Sequence, residues 1–198
     1  SASSAASDVY KRQTLFTFSI ENWDRPNDEV DTLMKLLVQT LREEFEDIFN
    51  NNIKLNAIGD LSSLPNKVKE ELNSIIENTE NNTGMTLTLA LSYGGKQEIF
   101  KAVKEISEKV KNDIIFLDNF DDSVINDHLY TRNLPDVDLL IRTSGEQRIS
   151  NFLLWKIAYA ELYFTDVYWP DFTEKDFTKA IIEYQNRERR FGKTSKQL

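Results

Sequence analysis

Two arginines in the last third of the chain are the residues best suited to chemistry. Arg142 and Arg148 belong to a polar loop that follows a short apolar run at 137–141, and Ser150 and Asn151 come directly after them. Guanidinium groups bind phosphate oxygens in bidentate pairs, and a capped helix N-terminus also favours an anion. The pattern therefore indicates a phosphate or diphosphate site.

Glu161 is the one carboxylate in the apolar segment 150–164. Because this segment is apolar on every side, it predicts a buried helix opened by Ser150 and Asn151. A buried ionised carboxylate needs a cation. A divalent metal that bridges the bound anion would suit it, since magnesium prefers hard oxygen ligands. An internal ion pair between Glu161 and an arginine is the alternative, and these residues alone leave both interpretations open.

A second polar cluster, Ser-Ile-Glu-Asn-Trp-Asp-Arg-Pro at 19–26, follows a predicted strand at 14–20. Taken alone, it is typical of a helix N-cap with Trp23 packed on the sheet. Paired with a diphosphate site, Arg25 becomes a second phosphate ligand and Trp23 contacts an apolar substrate tail. Gly94-Gly95-Lys96 lacks the spacing of a P-loop, so we assign these residues to a tight turn.

Composition excludes several classes of function. The 198 residues carry a net charge of -9, which argues against general nucleic-acid binding because no basic excess neutralises a phosphate backbone. Cysteine is absent, and His128, which we expect at the surface, is the only histidine. Thiolate sites, histidine-based zinc sites and a Ser-His-Asp triad are therefore disfavoured. With no apolar run of spanning length and no secretory signal, we expect a cytoplasmic protein.

Strand and helix patterns alternate along the chain. Strands are predicted at 14–20, 53–58, 85–92, 137–141 and 166–169, and helices at 30–48, from 65, at 95–110, at 121–130 and at 173–190. This order predicts an α/β fold: a single domain, 14–192, with a mostly parallel sheet flanked by helices. The polar loops would then converge at the carboxyl ends of the strands. We expect 1–13 to be a foreign, disordered tail and 193–198 a C-terminal tail.

Three segments resemble the cis-prenyltransferase (isoprenyl transferase) family, and most closely its bacterial undecaprenyl-diphosphate synthase type. They are FSIENWDRP at 18–26, SYGGKQEI at 92–99 and the long stretch at 138–172. The resemblance implies a homodimer that uses Mg²⁺ to add isopentenyl diphosphate to an allylic diphosphate, farnesyl diphosphate, forming Z double bonds. The product implied is undecaprenyl diphosphate, the lipid-carrier precursor for cell-wall synthesis. Such a product partitions to the membrane, which suggests a peripheral position at its inner face.

The resemblance also implies a role for each matching residue. It assigns Asn22 as the catalytic proton acceptor. Because a neutral amide is a poor base, the alternative is that Asn22 positions the diphosphate that takes the proton. It assigns Glu161 as the magnesium ligand, which favours the metal interpretation above. The substrate-binding residues that it implies are Ser19, Ile20, Glu21, Trp23 and Arg25, together with Arg142, Arg148, Ile149 and Ser150.

The chain also departs from the family pattern. The family's first strand and its DGNGRWA loop, which supplies an aspartate and the allylic-diphosphate cradle, have no counterpart here. Ser92 and Lys96 stand where the family commonly has asparagine and arginine. A non-catalytic partner subunit of a heteromeric cis-prenyltransferase is the competing hypothesis. The intact Arg142, Arg148, Ser150 and Glu161 argue against it, since a scaffold need not keep them.

We predict that the 198-residue chain has little or no activity alone, because Glu161 would lack its metal co-ligand. Restoring the upstream coding sequence and measuring incorporation of radiolabelled isopentenyl diphosphate tests this prediction. The restored chain should turn over, and robust turnover by the 198-residue chain alone would contradict the prediction.

Overall fold

The computed structural model describes residues 11–189, which belong to two units. The first unit ends at Tyr130 and the second begins at Thr131. Most of the predicted tail at 1–13, and all of the tail at 193–198, lie outside the described residues. The first strand nevertheless begins at Arg12, two residues before the prediction, because Arg12 pairs with Thr86.

The first unit is built on a three-stranded parallel sheet. Strands β1 (Arg12–Ser19), β2 (Lys54–Ile58) and β3 (Thr86–Tyr93) lie in the order β1-β3-β2. The central strand β3 is buried along its last six residues, which include the polar residues Thr88 and Ser92. The parallel pairing matches the predicted arrangement.

Within the described part of this unit, residues 11–130, five α-helices accompany the sheet: α1 (Asn27–Glu43), α2 (Phe45–Asn50), α3 (Asn66–Asn78), α4 (Gly95–Lys111) and α5 (Asp122–His128). The single helix predicted at 30–48 is wrong, because the chain forms two helices that meet at Glu44. Neither proline nor glycine marks the junction, so apolar periodicity alone could not locate it. The short helix predicted in the acidic region is confirmed as α5.

The main core of the first unit forms between α1, α3 and the sheet. The buried apolar side chains of α1 and α3 recur at three- and four-residue steps, as one face of a helix requires. They pack with buried strand residues into one cluster, which includes Met34, Val38, Leu41, Val68, Leu72, Ile75, Leu89 and Leu91. The three- and four-residue apolar periodicity that predicts these two helices thus corresponds to their buried faces, although Val38 is buried in addition and Leu33 and Leu37 are only partly buried.

The second unit contains a parallel pair, β4 (Leu139–Arg142) and β5 (Glu161–Phe164), and the helix α6 (Glu174–Gln185). Helix α6 begins after Thr173, whose backbone N–H and hydroxyl both donate to Asp176 Oδ2, at 2.9 and 2.7 Å. Within residues 11–189, no helix has the length and apolar character needed to cross a membrane.

The buried helix predicted at 150–164 is wrong. Ser150, Asn151 and Leu153 have φ values of 49°, 62° and 46°. A right-handed helix cannot contain such residues, so turns occupy this stretch until β5 begins. In β5, Leu162 and Phe164 are 38% and 40% exposed while Tyr163 is 6% exposed, the two-residue period of a strand.

The strand predicted at 166–169 is also wrong. The strand of this region is β5, which ends at Phe164, before the predicted strand begins. Trp169–Asp171 forms a short 3₁₀ helix instead. Despite these local errors, the predicted class is confirmed: every strand pair in the described residues is parallel, and helices accompany the strands.

We predict that Leu72→Ala lowers the free energy of unfolding by about 2–5 kcal/mol, because it leaves a cavity in the core. Leu72 is 1% exposed, whereas Leu36, also a helical leucine, is 56% exposed. Leu36→Ala is therefore the matched control and should change stability by about 0.5 kcal/mol or less. Urea unfolding of both variants measures the difference, and equal losses would contradict the packing described here.

Candidate functional site

Three polar segments of the first unit lie at one edge of its sheet. Strands β1, β2 and β3 end at Ser19, Ile58 and Tyr93, and they are parallel. The 19–25 turn, the Gly59-Asp60 loop and Gly94-Gly95 therefore all leave from the carboxyl edge, where α/β proteins bind ligands. The predicted convergence is confirmed for these three segments. The fourth, 142–150, begins at the carboxyl end of β4 in the second unit.

The first candidate segment is a single turn of 3₁₀ helix, Ile20–Asp24, that follows β1 directly. Within it, the backbone N–H of Ser19 donates to Asn22 Oδ1 at 2.8 Å. The amide oxygen of Asn22 is therefore already engaged, and its NH₂ group is the part that can donate to a ligand. Ile20 is partly buried and Glu21 is exposed.

Trp23 attaches the 19–25 turn to the body of the first unit. Its ring meets Phe18 edge-on, with centroids 4.9 Å apart and an interplanar angle of 72°. Its Nε1–H donates to Ser92 Oγ at 2.9 Å. Arg25, in contrast, is about half exposed and pairs with Glu29 of α1 at 2.6 Å. The guanidinium group of Arg25 is therefore accessible to solvent.

Arg142 ends β4 and carries a buried donor without a partner. Its Nε has no hydrogen-bond partner in the described residues. Leaving such a group unsatisfied costs about 1–3 kcal/mol, and more for a charged group, so an orphaned guanidinium nitrogen points to a ligand. The chemistry of an arginine donor fits a phosphate oxygen.

Backbone bonds hold the loop after Arg142 in a fixed shape. The N–H groups of Ser144 and Gly145 donate to the carbonyl oxygens of Val167 and Thr165, at 2.8 and 2.9 Å. Thr165 N–H in turn donates to the Arg142 carbonyl at 2.9 Å. Gly145 has a φ of +70°, a conformation that side chains disfavour. The guanidinium of Arg142 is therefore presented from a constrained backbone.

The remaining predicted diphosphate ligands follow on the same loop. Arg148 is exposed and forms an ion pair with Glu146, two residues before it. Ile149 and Ser150 are partly buried, and the left-handed backbone at Ser150 turns the chain sharply. No helix N-terminus begins here, so the part of the prediction that relied on a helix dipole is wrong. The positive charge of the predicted anion site is therefore supplied by the side chains of Arg142 and Arg148.

Glu161 begins β5 and is held by an arginine. Arg187 Nη1 lies 3.0 Å from Glu161 Oε2 and 2.9 Å from the Leu162 carbonyl oxygen. Arg187 Nη2 also donates to Glu183 Oε1 at 2.6 Å. The bonds to Glu183 and Glu161 raise the pKa of Arg187 above its usual value. The ion-pair alternative is thus the arrangement observed.

Arg187 is the residue at this site that sequence reasoning did not assign. The only signal was the cluster of three arginines at 187–190, which fits a charged helix end, a partner contact or a contribution to an anion site equally well. A neighbour behaves similarly: Arg189 Nη1 donates to Asp138 Oδ1 at 2.7 Å and to the Tyr184 hydroxyl at 2.8 Å. Both arginines neutralise carboxylates that open or precede a strand.

His128 is buried rather than at the surface as predicted, at 9% exposure. Its Nδ1 lies 2.7 Å from the Val124 carbonyl oxygen, and its Nε2 lies 2.7 Å from Lys109 Nζ. An ammonium group can only donate and the carbonyl can only accept, so Nδ1 carries the proton and Nε2 accepts. His128 therefore joins α5 to α4.

Most of the chain is similar in sequence to known proteins. Residues 5–192 match the family model described as "Putative undecaprenyl diphosphate synthase". An isoprenyl transferase from Clostridium perfringens is 48% identical over 92% of this chain and 72% of its own length. A ditrans,polycis-undecaprenyl-diphosphate synthase specific for (2E,6E)-farnesyl diphosphate, from Haemophilus influenzae, is 51% identical over 91% of this chain and 76% of its own length.

Two solved structures are similar to this chain in both fold and sequence. Lavandulyl diphosphate synthase from Lavandula x intermedia, crystallised with dimethylallyl diphosphate, has a TM-score of 0.90 and 36% identity. That likeness covers 95% of this chain and 82% of the plant protein. A probable undecaprenyl diphosphate synthase from Campylobacter jejuni has a TM-score of 0.80 and 39% identity, covering 92% of this chain and 84% of its own.

We predict a coupling free energy of about 0.5–1 kcal/mol between Glu161 and Arg187, because both side chains are only about a quarter exposed. A double-mutant cycle with Glu161→Gln and Arg187→Ala, followed by urea unfolding, measures it. The more exposed pair Arg25–Glu29, cycled with Arg25→Ala and Glu29→Gln, is the control, with an expected coupling of about 0.3–0.5 kcal/mol. Coupling at Glu161–Arg187 no larger than in this control would contradict the prediction.

Proposed function

The chain belongs to the undecaprenyl diphosphate synthase family of isoprenyl transferases, and from this premise we propose that it adds isopentenyl diphosphate to an allylic diphosphate with Z geometry. The Haemophilus influenzae relative's specificity supports farnesyl diphosphate as the allylic primer. Undecaprenyl diphosphate, a lipid-carrier precursor for the cell wall, is the proposed product. The observation that carries the proposal is the buried, unpartnered Nε of Arg142 at the carboxyl end of β4.

Arg142, Arg148, Ile149 and Ser150 are the proposed binding residues for isopentenyl diphosphate. Arg142 offers a donor that has no protein partner among the described residues, and Arg148, further along the same loop, offers an exposed guanidinium. Two guanidinium groups suit a diphosphate because each matches a pair of its oxygens. The Ser150 hydroxyl adds a neutral donor. These groups orient the isopentenyl unit, whose alkene is the nucleophile.

The proposed reaction makes one carbon–carbon bond. C4 of the isopentenyl unit bonds to C1 of the allylic substrate as the C1–O bond breaks, and the diphosphate leaves with the bonding electrons. Loss of a proton from C2 of the isopentenyl unit then forms the new double bond. Cationic side chains near the departing diphosphate stabilise the charge that develops on it.

Asn22 is proposed to position the departing diphosphate rather than to accept the proton itself. Its amide oxygen already accepts the Ser19 N–H, and a neutral amide is a poor base. Its NH₂ group can donate to a diphosphate oxygen, which is the better proton acceptor. Ser19, Ile20, Glu21, Trp23 and Arg25 are proposed to bind substrate as one turn.

Magnesium is the proposed cofactor, and Glu161 its proposed ligand. Within residues 11–189, no three His, Cys, Asp or Glu side chains form a metal-binding group. Magnesium commonly takes one or two carboxylates and completes its shell with substrate phosphate oxygens and water, so a single carboxylate fits it. When bound, magnesium supplies positive charge that favours departure of the diphosphate. Glu161 offers its carboxylate once Arg187 releases it.

The surroundings of the enzyme are proposed on the family's chemistry. We propose a cytoplasmic homodimer, peripheral at the inner face of the membrane, into which the product partitions. A non-catalytic partner subunit is the second candidate. Retention of Arg142, Arg148, Ser150 and Glu161 favours the enzyme, since a scaffold has no use for an orphaned buried guanidinium nitrogen. That the 198-residue chain is inactive alone stays a prediction.

Turnover tests the function directly. The chain with its upstream coding sequence restored should incorporate radiolabelled isopentenyl diphosphate into a farnesyl diphosphate primer, and chelation of magnesium should stop incorporation. The products should carry Z double bonds. No incorporation by the restored chain alone, with activity appearing only on addition of a second subunit, would favour the partner-subunit candidate.

We predict that Arg142→Gln weakens binding of isopentenyl diphosphate by about 10- to 100-fold, the loss expected for hydrogen bonds to a charged group. Calorimetry measures binding whether or not the chain turns over. The unfolding midpoint should stay the same or rise, because the substitution removes an unsatisfied buried donor.

Arg42→Gln is the matched control for this prediction. Arg42 is exposed and paired with Glu71 in the first unit, so its substitution should leave binding unchanged. A loss of stability without a loss of affinity in Arg142→Gln would mean that Arg142 is structural and would contradict the prediction.

A further inference from the structure

A chain of hydroxyl groups runs from Trp23 to the loop after β2. Trp23 Nε1–H donates to Ser92 Oγ at 2.9 Å, and the hydroxyl oxygens of Ser92 and Ser63 lie 2.8 Å apart. The Ser63 oxygen also lies 2.7 Å from the carbonyl oxygen of Asp60. These contacts join the 19–25 turn, the end of β3 and the 60–63 loop.

The direction of each hydrogen bond follows from counting protons. An indole N–H can only donate and a carbonyl oxygen can only accept, and each serine hydroxyl has a single proton. Ser63 must therefore donate to Asp60, and Ser92 must donate to Ser63. The Ser92 oxygen is then left to accept from Trp23. Each of the three donors then has an acceptor, and all three hydrogen bonds point the same way along the chain. Consecutive hydrogen bonds of this kind polarise one another and become stronger.

Ser92 occupies a position that is constrained in two ways. It is 2% exposed, and its φ is +47°, in the left-handed region that serine rarely adopts. Ser92 is the second-to-last residue of β3, and the last six residues of this strand are all buried. Strain of about 1–3 kcal/mol persists only where surrounding structure compensates for it, and such positions cluster at functional sites.

We propose that Ser92 is a positioning residue, which fixes the orientation of Trp23 and through it the 19–25 turn. The argument rests on the proposed function only in taking that turn to bind substrate. The ring of Trp23 meets Phe18 edge-on and packs against the main core, which are non-directional contacts, whereas its bond to Ser92 is directional. Asn22 is adjacent to Trp23 in the same turn, so the position of its backbone depends on the same anchor, whereas the orientation of its amide is set by the Ser19 N–H.

The first arm of the test needs no substrate. Trp23→Phe identifies the Trp23 indole signal among the three tryptophans in a ¹⁵N-correlated spectrum. In Ser92→Ala, this indole N–H should shift and exchange with D₂O at least about 10-fold faster, the loss expected for one hydrogen bond. Ser92→Asn keeps an acceptor and tolerates positive φ, so it should restore slow exchange.

The second arm measures turnover in whichever chain is more active, with or without the restored upstream sequence. Ser92→Ala should lower kcat/KM by about 10- to 100-fold, the cost of slight misplacement of a substrate-binding group. Ser92→Asn should recover most of it, and Ser63→Ala, which removes only the distal hydroxyl, should lose less than Ser92→Ala. Ser107→Ala is the matched control, since Ser107 is exposed on α4 and bonds only its own helix.

The outcomes separate the two proposals. If the Trp23 indole N–H exchanges at an unchanged rate in Ser92→Ala, the positioning role is overturned. It is also overturned if exchange becomes faster in that variant while kcat/KM stays unchanged. A third outcome is that activity falls in every variant in proportion to the drop in its unfolding midpoint, with no recovery in Ser92→Asn. That result would show that Ser92 has a purely structural role and would overturn the positioning role. If the unsubstituted chains show no turnover, the proposed function fails, and indole exchange alone decides whether Ser92 orders the turn.

Discussion

The parallel pairing of β3 with β1 and β2 is the constraint on which the first unit depends. Because β3 lies between the other two strands and is buried along its last six residues, its backbone hydrogen bonds must be satisfied within the sheet. Parallel pairing brings all three carboxyl ends to one edge. The turn carrying Asn22 and Trp23, the Gly59-Asp60 loop and the Gly94-Gly95 turn are neighbours for that reason.

The same packing dictates residue types at the edge. Gly59 has a φ of +116°, and a Cβ there would lie 2.0 Å from the Leu91 carbonyl oxygen. Only glycine allows the β2 loop to approach β3 so closely. This approach places the loop that carries Ser63 beside Ser92, and the pairing of β1 with β3 places Trp23 on the other side of Ser92. A feature that looks like a loop detail in the sequence thus supports the orientation of a residue with a proposed role in substrate binding.

Charge in the second unit is organised locally, although the chain as a whole has a net charge of -9. Arg187 holds Glu161, and Arg189 holds Asp138, so the carboxylates around β4 and β5 are matched by cations from the C-terminal end of the described chain. Arg142 differs from Arg187 and Arg189, because it forms no ion pair with a carboxylate within the described residues, and its buried Nε has no partner there. A site that binds an anionic substrate needs this imbalance, since a cation already satisfied by protein has less to offer a ligand.

Sequence patterns alone predicted the strands with strong apolar runs, the amphipathic helices, and the arginine and asparagine motifs that carry the family resemblance. These follow from short-range periodicity and from residue chemistry, which need no tertiary information. The same patterns failed at 150–164, where an all-apolar segment satisfied the pattern of a buried helix as well as that of turns and a strand. Local preference does not predict the left-handed backbone of Ser150 and Leu153, and Leu153 is buried at 2% exposure, so long-range packing was needed to define this segment. The tertiary structure likewise decided that Glu161 meets Arg187, a pairing across 26 residues that no spacing rule contains.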